Sequence, residues 1–597
     1  MSFYISLGIT FEIFFIILAV FAEMRRYVFT LSEAYLYSTV LILSIFSVSI
    51  QLFFLFEIHK FYPLIDGFLF IISTFLIWRN RFILINSFAS LKQFWLDNPF
   101  YSFILTFSAL CLFAKGFLLP PTTEDSLTYH LARIMMMKSE GSFFLQNFAD
   151  YRQDIMPIGY DILNFLYLRF YTDYGLTTFG FLSYTIILSG IFALVTKLFS
   201  DVRLSKIICF LCASLTMFVL HAYSVKNDLI VAAIAIACIL AAYNFLQKTG
   251  YMHLFILLVA STFGLNVKFT FIGFFLPFIL FYGILFFDKF GLKSLLPIIS
   301  KKNVRYILPL ILPICTVAMI FVLLIHNYSK YGAMMGPSFY LYNLSNIGGA
   351  FGSLLNLMRY FFQAIDLPAE LGGNVFTIFH DFILGEHKTT GVIWPEFYNV
   401  KLSGAFNPRD ISAWYGLFGL PILISIGFTI LRGKGFLRIV ALSIWIFAIL
   451  VGIKIPWNPY SGRYFALTFA AGMLCFAFML KSISKKSFRF SKYMVIAALF
   501  IATLNLTYLS IYVNISNFSQ LKQQIKNRDL IYSKYVKSSL LNLFEKRIPS
   551  GCRILLFAGY NTSLFPFFIR RPDLNITVTG VPENPYLHGI PNWIYTG

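Results

Sequence analysis

The chain has 597 residues, of which 58% are hydrophobic and only 12% are charged, and its mean hydropathy is +0.76. A soluble globular chain carries roughly a quarter charged residues, so this composition excludes an ordinary soluble protein. The net charge of +21 comes without basic runs interleaved with aromatic residues in a soluble domain, so we expect no nucleic-acid partner.

Long apolar blocks recur along the whole chain. A membrane-spanning helix needs about 20 mostly apolar residues. The sequence predicts about fourteen such blocks and therefore an all-α polytopic membrane protein. The blocks lie near residues 3–22, 34–56, 64–78, 101–119, 176–199, 207–224, 229–246, 253–267, 269–287, 306–326, 413–431, 439–453, 464–480 and 494–512. The first block lacks the basic start of a cleavable signal peptide.

The distribution of Lys and Arg predicts the orientation, because these residues accumulate in cytoplasmic loops. With the amino terminus outside, the basic segments at 79–100, 288–305 and 481–493 are cytoplasmic. The other face then receives two long loops, at 120–175 and 327–412. We expect this non-cytoplasmic face of a plasma (inner) membrane to be the active face.

Three regions are predicted along the chain. Residues 1–100 hold three amino-terminal transmembrane helices, residues 101–512 form the transmembrane core, and residues 513–597 form a small outer α/β domain. In that domain a polar amphipathic helix near 517–546 precedes two short strands with a helical piece between them. The unit is too short to be a catalytic domain, and we expect it to cap the outer face.

The first long loop begins with two adjacent carboxylates, Glu124 and Asp125, just beyond a predicted span. A carboxylate that is partly desolvated at the membrane boundary can act as a general base toward an acceptor hydroxyl. Acidic residues in a first helical turn also simply favour the helix dipole, and Thr122 with Asp125 resembles a capping box. Local spacing leaves the catalytic and capping interpretations open.

The next residues of this loop predict a helix that lies in the membrane interface. Its apolar residues recur at helical spacing: Leu127, Leu131, Ile134 and Met135. Ser126, His130 and Arg133 occupy a different face, where His130 or Arg133 could keep Asp125 ionised or bind a substrate. A second amphipathic stretch is predicted at 157–171.

Charged residues also stand at the predicted outer ends of later spans. Lys226 and Asp228 share a connection of almost no length, which makes them functional candidates unless they are a snorkelling lysine and a helix cap. Lys268 suits a phosphate or carboxylate partner, although a snorkelling turn lysine would give the same pattern. An interfacial aromatic belt explains the tryptophan and tyrosine near Arg463 better than it explains Arg463 itself.

Several site classes lack their usual sequence signals. We find no Cys/His spacing typical of zinc, no phosphate-binding loop, no dinucleotide fingerprint and no repeat of 20–50 residues. Only Cys552 lies outside the predicted spans, so no outer disulfide is expected within one chain. The sequence also lacks the inverted repeat that would favour a transporter or lipid-linked-sugar flippase. That function and a non-catalytic assembly subunit remain the alternatives.

Five short motifs resemble those of the GT-C class of membrane glycosyltransferases, in the same order and on the same membrane side. They are Glu124 to Leu131, Arg152-Gln153 with Met156-Pro157, Ser224 to Leu229, Gly264 to Thr270, and Trp457 to Tyr464. The resemblance covers roughly residues 100–470. It is strongest to bacterial relatives of dolichyl-phosphate-mannose protein mannosyltransferases and of the lipid A aminoarabinose transferase.

The resemblance implies an inverting transfer of a sugar from a polyprenyl-phosphate donor to a lipid, glycan or protein acceptor. It implies that an acid of the first loop, preferably Asp125 with Glu124 in support, is the base. Basic residues at span ends would bind the donor phosphate, and the implied substrate-binding set is His130, Arg133, Arg152, Lys226, Asp228, Lys268 and Arg463. A divalent metal remains open, since subgroups of the class differ. Unlike the class pattern, three predicted spans precede the loop-bearing span, and the acids run Glu-Asp.

Overall fold

The computed structural model describes most of the chain. The described residues are 1–27, 29–97, 99–121, 123–248, 250–291, 308–338, 340, 349–364, 415–458, 460–486, 488–512, 518–559 and 561–580. Thr122 of the predicted capping box and most of the predicted loop 327–412 lie outside these ranges. The same holds for most of the predicted connection 288–305.

Within the described ranges, eleven helices are long and apolar enough to cross a membrane. Their α-helical parts are Ser2–Arg26, Leu31–Leu55, Tyr62–Arg79, Pro99–Leu118, Thr178–Phe199, Asp228–Gln247, Ile272–Phe290, Ile311–Tyr331, Gly435–Lys454, Ala466–Lys486 and Phe488–Tyr512. One further span is bent by 67° between Val202–Ala213 and Thr216–Ala222, and Tyr251–Val267 and Gly419–Arg432 are shorter apolar helices. Each predicted block thus corresponds to one of these elements, and the all-α membrane architecture is confirmed.

The helix Asp228–Gln247 lies at the centre of the bundle and is almost entirely buried. Alanine fills many of its positions, and small residues let neighbouring membrane helices approach closely. Thr178–Phe199, Tyr251–Val267 and Ala466–Lys486 pack around it. Because Asp228 is its first residue, the amino-terminal end of this central helix lies at the candidate site.

Two glycines allow the close contacts that bring the site segments together. A Cβ at Gly180 would lie 2.6 Å from the carbonyl oxygen of Ser224, beside the turn that carries Lys226. A Cβ at Gly159 would lie 2.6 Å from the carbonyl oxygen of Asn266, beside the turn that carries Lys268. Both distances are shorter than real Cβ contacts, so a side chain at either position would push these turns apart.

The first long loop, here residues 119–177, folds into short helices packed on the bundle. They are the π turn Ser126–His130, the α-helices Leu131–Glu140, Tyr151–Ile155 and Phe165–Leu168, and the 3-10 turn Asp161–Asn164. The apolar residues of the first predicted interface helix pack inside the protein. Leu127, Leu131, Ile134 and Met135 are all at most 1% exposed, so these side chains contact protein and not lipid.

Two further helices occur where the sequence predicts only connections. Arg81–Leu96 lies in the predicted cytoplasmic segment 79–100, and its apolar Phe82, Ile85 and Phe88 are exposed on the protein surface. Gly349–Gln363 belongs to the predicted loop 327–412 and packs against Gly435–Lys454. With 16 and 15 residues, both helices are shorter than the roughly 20 residues that cross a bilayer.

The tail domain, here residues 518–580, is the predicted α/β unit. The single predicted helix is instead three, Phe518–Lys526, Asp529–Tyr532 and Ser538–Arg547. Strands Arg553–Ala558 and Asn575–Gly580 pair in parallel, with Arg553 opposite Asn575, and the helix Phe565–Arg570 connects them. The backbone amide of Leu564 donates to the carbonyl of Leu127 at 3.1 Å, so this domain packs on the first long loop.

Candidate active site

Asp125 stands where the first long loop leaves the bundle. A short helical turn leads into the π turn Ser126–His130, a rare geometry that is frequent at functional sites. Three cations reach its carboxylate. Arg463 Nη1 contacts Oδ2, Lys226 Nζ lies 3.7 Å from Oδ2, and Arg152 Nη1 lies 3.5 Å from Oδ1. The structure therefore brings together residues that are more than 300 positions apart in the sequence.

Asp228 forms a second ionic centre beside Asp125. Its Oδ1 lies 2.5 Å from Lys268 Nζ, and its Oδ2 lies 3.6 Å from Arg463 Nε. Arg463 thus bridges the two carboxylates from the 3-10 turn Ser461–Phe465. We call Asp125, Lys226, Asp228, Lys268 and Arg463 the ionic cluster.

The two adjacent acids of the first long loop have different environments. Burial alone would raise the pKa of Asp125, but the charges of Arg463, Lys226, Arg152 and His130 outweigh it and hold the pKa well below its usual value. Glu124 is exposed at the rim of the site. Partial desolvation and the charge of Asp125 raise its pKa. Asp125 is therefore the acid that the cluster holds as a carboxylate.

Arg152 connects the cluster to the tail domain. Its guanidinium pairs with Asp150 through Nε, 2.9 Å from Oδ2, and also contacts the side-chain oxygen of Asn561. It lies over the ring of Tyr129 at 4.4 Å. Asp150 in turn caps the helix Tyr151–Ile155, so this helix fixes the position from which Arg152 reaches Asp125.

His130 and Arg133 both contact the carboxylate of Asp161, a residue that the sequence analysis did not identify as a candidate. His130 Nδ1 is 2.8 Å from Asp161 Oδ1, and Arg133 contacts the other carboxylate oxygen. Arg133 also donates to the carbonyls of Met156 at 3.0 Å and Pro157 at 2.7 Å. These contacts favour a role in holding the loop's shape over the expected contact of Arg133 with a substrate.

A second ion group ties the first long loop to the helix Ile311–Tyr331. Asp154 Oδ2 lies 2.9 Å from Lys330 Nζ and accepts a hydrogen bond from the Tyr331 hydroxyl at 2.6 Å. His326 Nε2 lies 3.4 Å from the other oxygen. Sequence reasoning missed this group because its members come from the first long loop and from the end of a distant helix, with no shared motif.

His221 is a buried neighbour of the ionic cluster that the sequence also did not indicate. It lies in the second half of the bent span, and its strongest electrostatic partner is Asp228. Its Nδ1 atom has no hydrogen-bond partner within the described residues. The only available signal was its position five residues before Lys226.

No group of three or more His, Cys, Asp or Glu side chains in the described part of the chain could hold a metal ion. Asp125 and Asp228 share the guanidinium of Arg463 instead. The cluster therefore presents a carboxylate beside three cations, a combination suited to deprotonating one group and binding an anion next to it.

No protein family and no curated protein matches this chain in sequence. Among solved structures, it is similar to ArnT from Cupriavidus metallidurans bound to undecaprenyl phosphate, with a TM-score of 0.50 and 9% identity. The match covers 81% of this chain and 86% of that one. The apo structure of the same ArnT has a TM-score of 0.47 and 9% identity, over 82% of this chain and 87% of that one.

The similarity in fold extends over most of both chains, although only 9% of the residues are identical. ArnT is a lipid A aminoarabinose transferase with the GT-C fold, so the fold expected from the five motifs is confirmed. This chain is a multi-pass membrane protein with an ArnT-like fold of the GT-C class.

Proposed function

We propose that this protein is an integral membrane glycosyltransferase that moves a sugar from a polyprenyl-phosphate-linked donor to a hydroxyl-bearing acceptor. The observation that carries the proposal is the ionic cluster, which places a carboxylate beside three cations at one end of an ArnT-like bundle. The solved ArnT is bound to undecaprenyl phosphate, which suggests the same class of carrier lipid here.

The cluster supplies the two things that this transfer requires. Asp125 accepts the proton of the acceptor hydroxyl, and the resulting nucleophile attacks the anomeric carbon of the donor sugar. Negative charge develops on the leaving phosphate, where preorganised cations lower the barrier most effectively. Arg463, Lys268 and Lys226 provide that positive charge. Attack opposite the leaving group inverts the anomeric centre.

The burial of the cluster also supports a catalytic function. Lys226 and Asp228 are 3% and 4% exposed, and charged groups at such depth in a membrane protein are costly unless they serve a function. A purely structural bridge would need one cation for each acid, whereas here three cations surround two acids. This excess of cations over acids suits the binding of an anionic ligand.

The proposed reaction takes place at the end of the bundle that carries the first long loop and the tail domain. The Lys and Arg distribution predicts that this end faces away from the cytoplasm. Polyprenyl-phosphate sugars are amphipathic, so the prenyl chain would remain in the bilayer while the phosphate reaches the cluster. The acceptor would be a lipid, a glycan or a protein on the same face.

The test is a transfer assay with protein purified in lipid nanodiscs. Radiolabelled undecaprenyl-phosphate sugars are incubated with lipid, glycan and peptide acceptors, with Asp125→Asn protein as the matched control. We expect label in an acceptor with the wild-type protein and a fall of about a hundredfold or more with the variant. Movement of intact donor across a liposome membrane without sugar transfer would instead support a flippase.

A further inference from the structure

In the ionic cluster both oxygens of Asp125 contact cations, although the proposed reaction needs this carboxylate to accept a proton. Oδ2 of Asp125 faces Arg463 and Lys226, and Oδ1 faces Arg152. A general base needs an oxygen within hydrogen-bond reach of the acceptor proton. In this arrangement Asp125 neutralises the cations instead, and the acceptor would have to compete with them.

Arg463 is the cation best placed to change partner. Its Nε lies 3.6 Å from Oδ2 of Asp228. The other carboxylate oxygen of Asp228, Oδ1, lies 2.5 Å from Lys268 Nζ. The ionic contact between Arg463 Nε and Asp228 is longer than a hydrogen bond, and it keeps the inner edge of the guanidinium group beside a buried carboxylate. Its Nη1 atom contacts Asp125, and the side chain is 16% exposed. The outer part of the group can therefore turn from Asp125 to a phosphate while the inner part stays on Asp228.

We propose that the donor phosphate and Asp125 compete for Arg463, so that the donor must bind before Asp125 can take the acceptor proton. This inference rests on the proposed function and adds an order of events to it. Phosphate and carboxylate both match the planar guanidinium, so one can replace the other with the same geometry. In the donor-free state the base is masked, and an acceptor or a water molecule meets no reactive carboxylate.

The charges of the cluster agree with this exchange. Arg463, Lys226 and Lys268 carry three positive charges and Asp125 and Asp228 carry two negative ones, so these five groups sum to +1. The neighbouring pair of Arg152 and Asp150 adds no net charge. A polyprenyl-phosphate sugar is a phosphodiester with one negative charge. Donor binding therefore neutralises the cluster and gives Arg463 a new partner.

The transfer step keeps that balance. The acceptor O–H bond breaks and its proton goes to Asp125, while the acceptor oxygen forms a bond to the anomeric carbon. The bond from that carbon to the phosphate oxygen breaks, and its electron pair stays on the phosphate. The polyprenyl phosphate leaves as a monoester with a charge close to −2. Because Asp125 is now neutral, the cluster carries +2 and again matches its ligand.

The experiment measures binding of labelled undecaprenyl phosphate to nanodisc-embedded protein, without turnover. Competition predicts that Asp125→Asn binds this lipid about tenfold more tightly than wild type, because the variant loses the group that occupies Arg463. Glu545→Gln is the matched control, since it removes the same charge from a half-exposed pair with Arg570 in the tail domain, outside the ionic cluster. It should bind within about twofold of wild type. Equal or weaker binding by Asp125→Asn would overturn the proposal.

Two further binding measurements distinguish a failure of the proposed exchange at Arg463 from a failure of the proposed function. In an Arg463→Ala background, the gain from Asp125→Asn should disappear, and a gain that persists would show that the exchange does not involve Arg463. If wild type binds undecaprenyl phosphate no better than undecaprenol, the proposed function itself fails. Asp125→Ser serves as the second variant if Asp125→Asn cannot be recovered as folded protein.

Discussion

The buried ion group on Asp161 provides a direct test of which residues shape the first long loop. The perturbation is Asp161→Asn, which keeps the size of the side chain but removes its charge. Arg133 would then keep only the carbonyls of Met156 and Pro157 as partners, with its side chain 2% exposed. Leaving a buried charge without its counter-ion costs about 3–5 kcal/mol. Net protein stabilities are only about 5–15 kcal/mol, so we expect a large loss.

The assay is the thermal midpoint of detergent-solubilised protein, followed by size-exclusion chromatography after heating. Asp161→Asn should melt several degrees below wild type. Glu545→Gln, which removes the same charge from a half-exposed pair with Arg570 in the tail domain, should change the midpoint little. If Asp161→Asn melts normally and Arg133→Met lowers donor affinity about tenfold, Arg133 contacts the substrate and our interpretation is wrong.

The pH dependence of this loss has a defined sign. Burial opposes ionisation of Asp161, but the charges and hydrogen bonds of Arg133 and His130 lower its pKa below the usual 3.8. An acid with a lowered folded pKa stabilises the protein above the unfolded value, and this contribution is lost as the pH falls through the folded value. The difference between wild type and Asp161→Asn should therefore be constant from pH 5 to pH 8 and shrink only below about pH 4.

Three other outcomes are expected. Asp125→Asn should lower the rate of sugar transfer about a hundredfold or more. Glu124 lies outside the ionic cluster, so Glu124→Gln should lower this rate less than tenfold; the reverse result would make Glu124 the base. Lys268→Ala should raise the donor KM about tenfold to a hundredfold and leave the acceptor KM unchanged, because it removes one charge-assisted contact to the phosphate. An unchanged donor KM would identify a membrane anchor. In a cysteine-free background, a probe at position 334, which is exposed in the same predicted outer loop, should react with an impermeant reagent from outside and one at position 300 should not; the opposite pattern would invert the predicted topology.

The lengths of the apolar blocks were sufficient to locate the membrane helices, because each helix needs about 20 mostly apolar residues to cross a bilayer. The sequence could also single out Lys226, Lys268 and Arg463, since charges at span ends are rare enough to be noticed individually. Their convergence on two aspartates could not be derived from spacing. It depends on how distant helices pack, and only the order of the five motifs indicated it.

In the first long loop, the sequence predicted helices but not the surroundings of their side chains. Apolar residues at helical spacing on a short helix fit a membrane interface and a protein core equally well. The helix is buried because the tail domain, which lies more than 400 residues later in the chain, packs on it together with other parts of the first long loop. In the same way, His130 and Arg133 were expected to act on Asp125 because it is near in sequence. His130 does contribute charge at Asp125, but both side chains contact Asp161, and no motif links them to that residue.

The contact between Arg152 and Asn561 has a consequence for the order in which the protein is made. Asn561 follows the membrane helix Phe488–Tyr512, whereas the loop it supports is synthesised directly after the helix Pro99–Leu118. The described part of the bundle can therefore insert and begin to pack long before the support for Arg152 exists. A nascent chain would carry these membrane helices and still lack the finished site until the tail domain has docked.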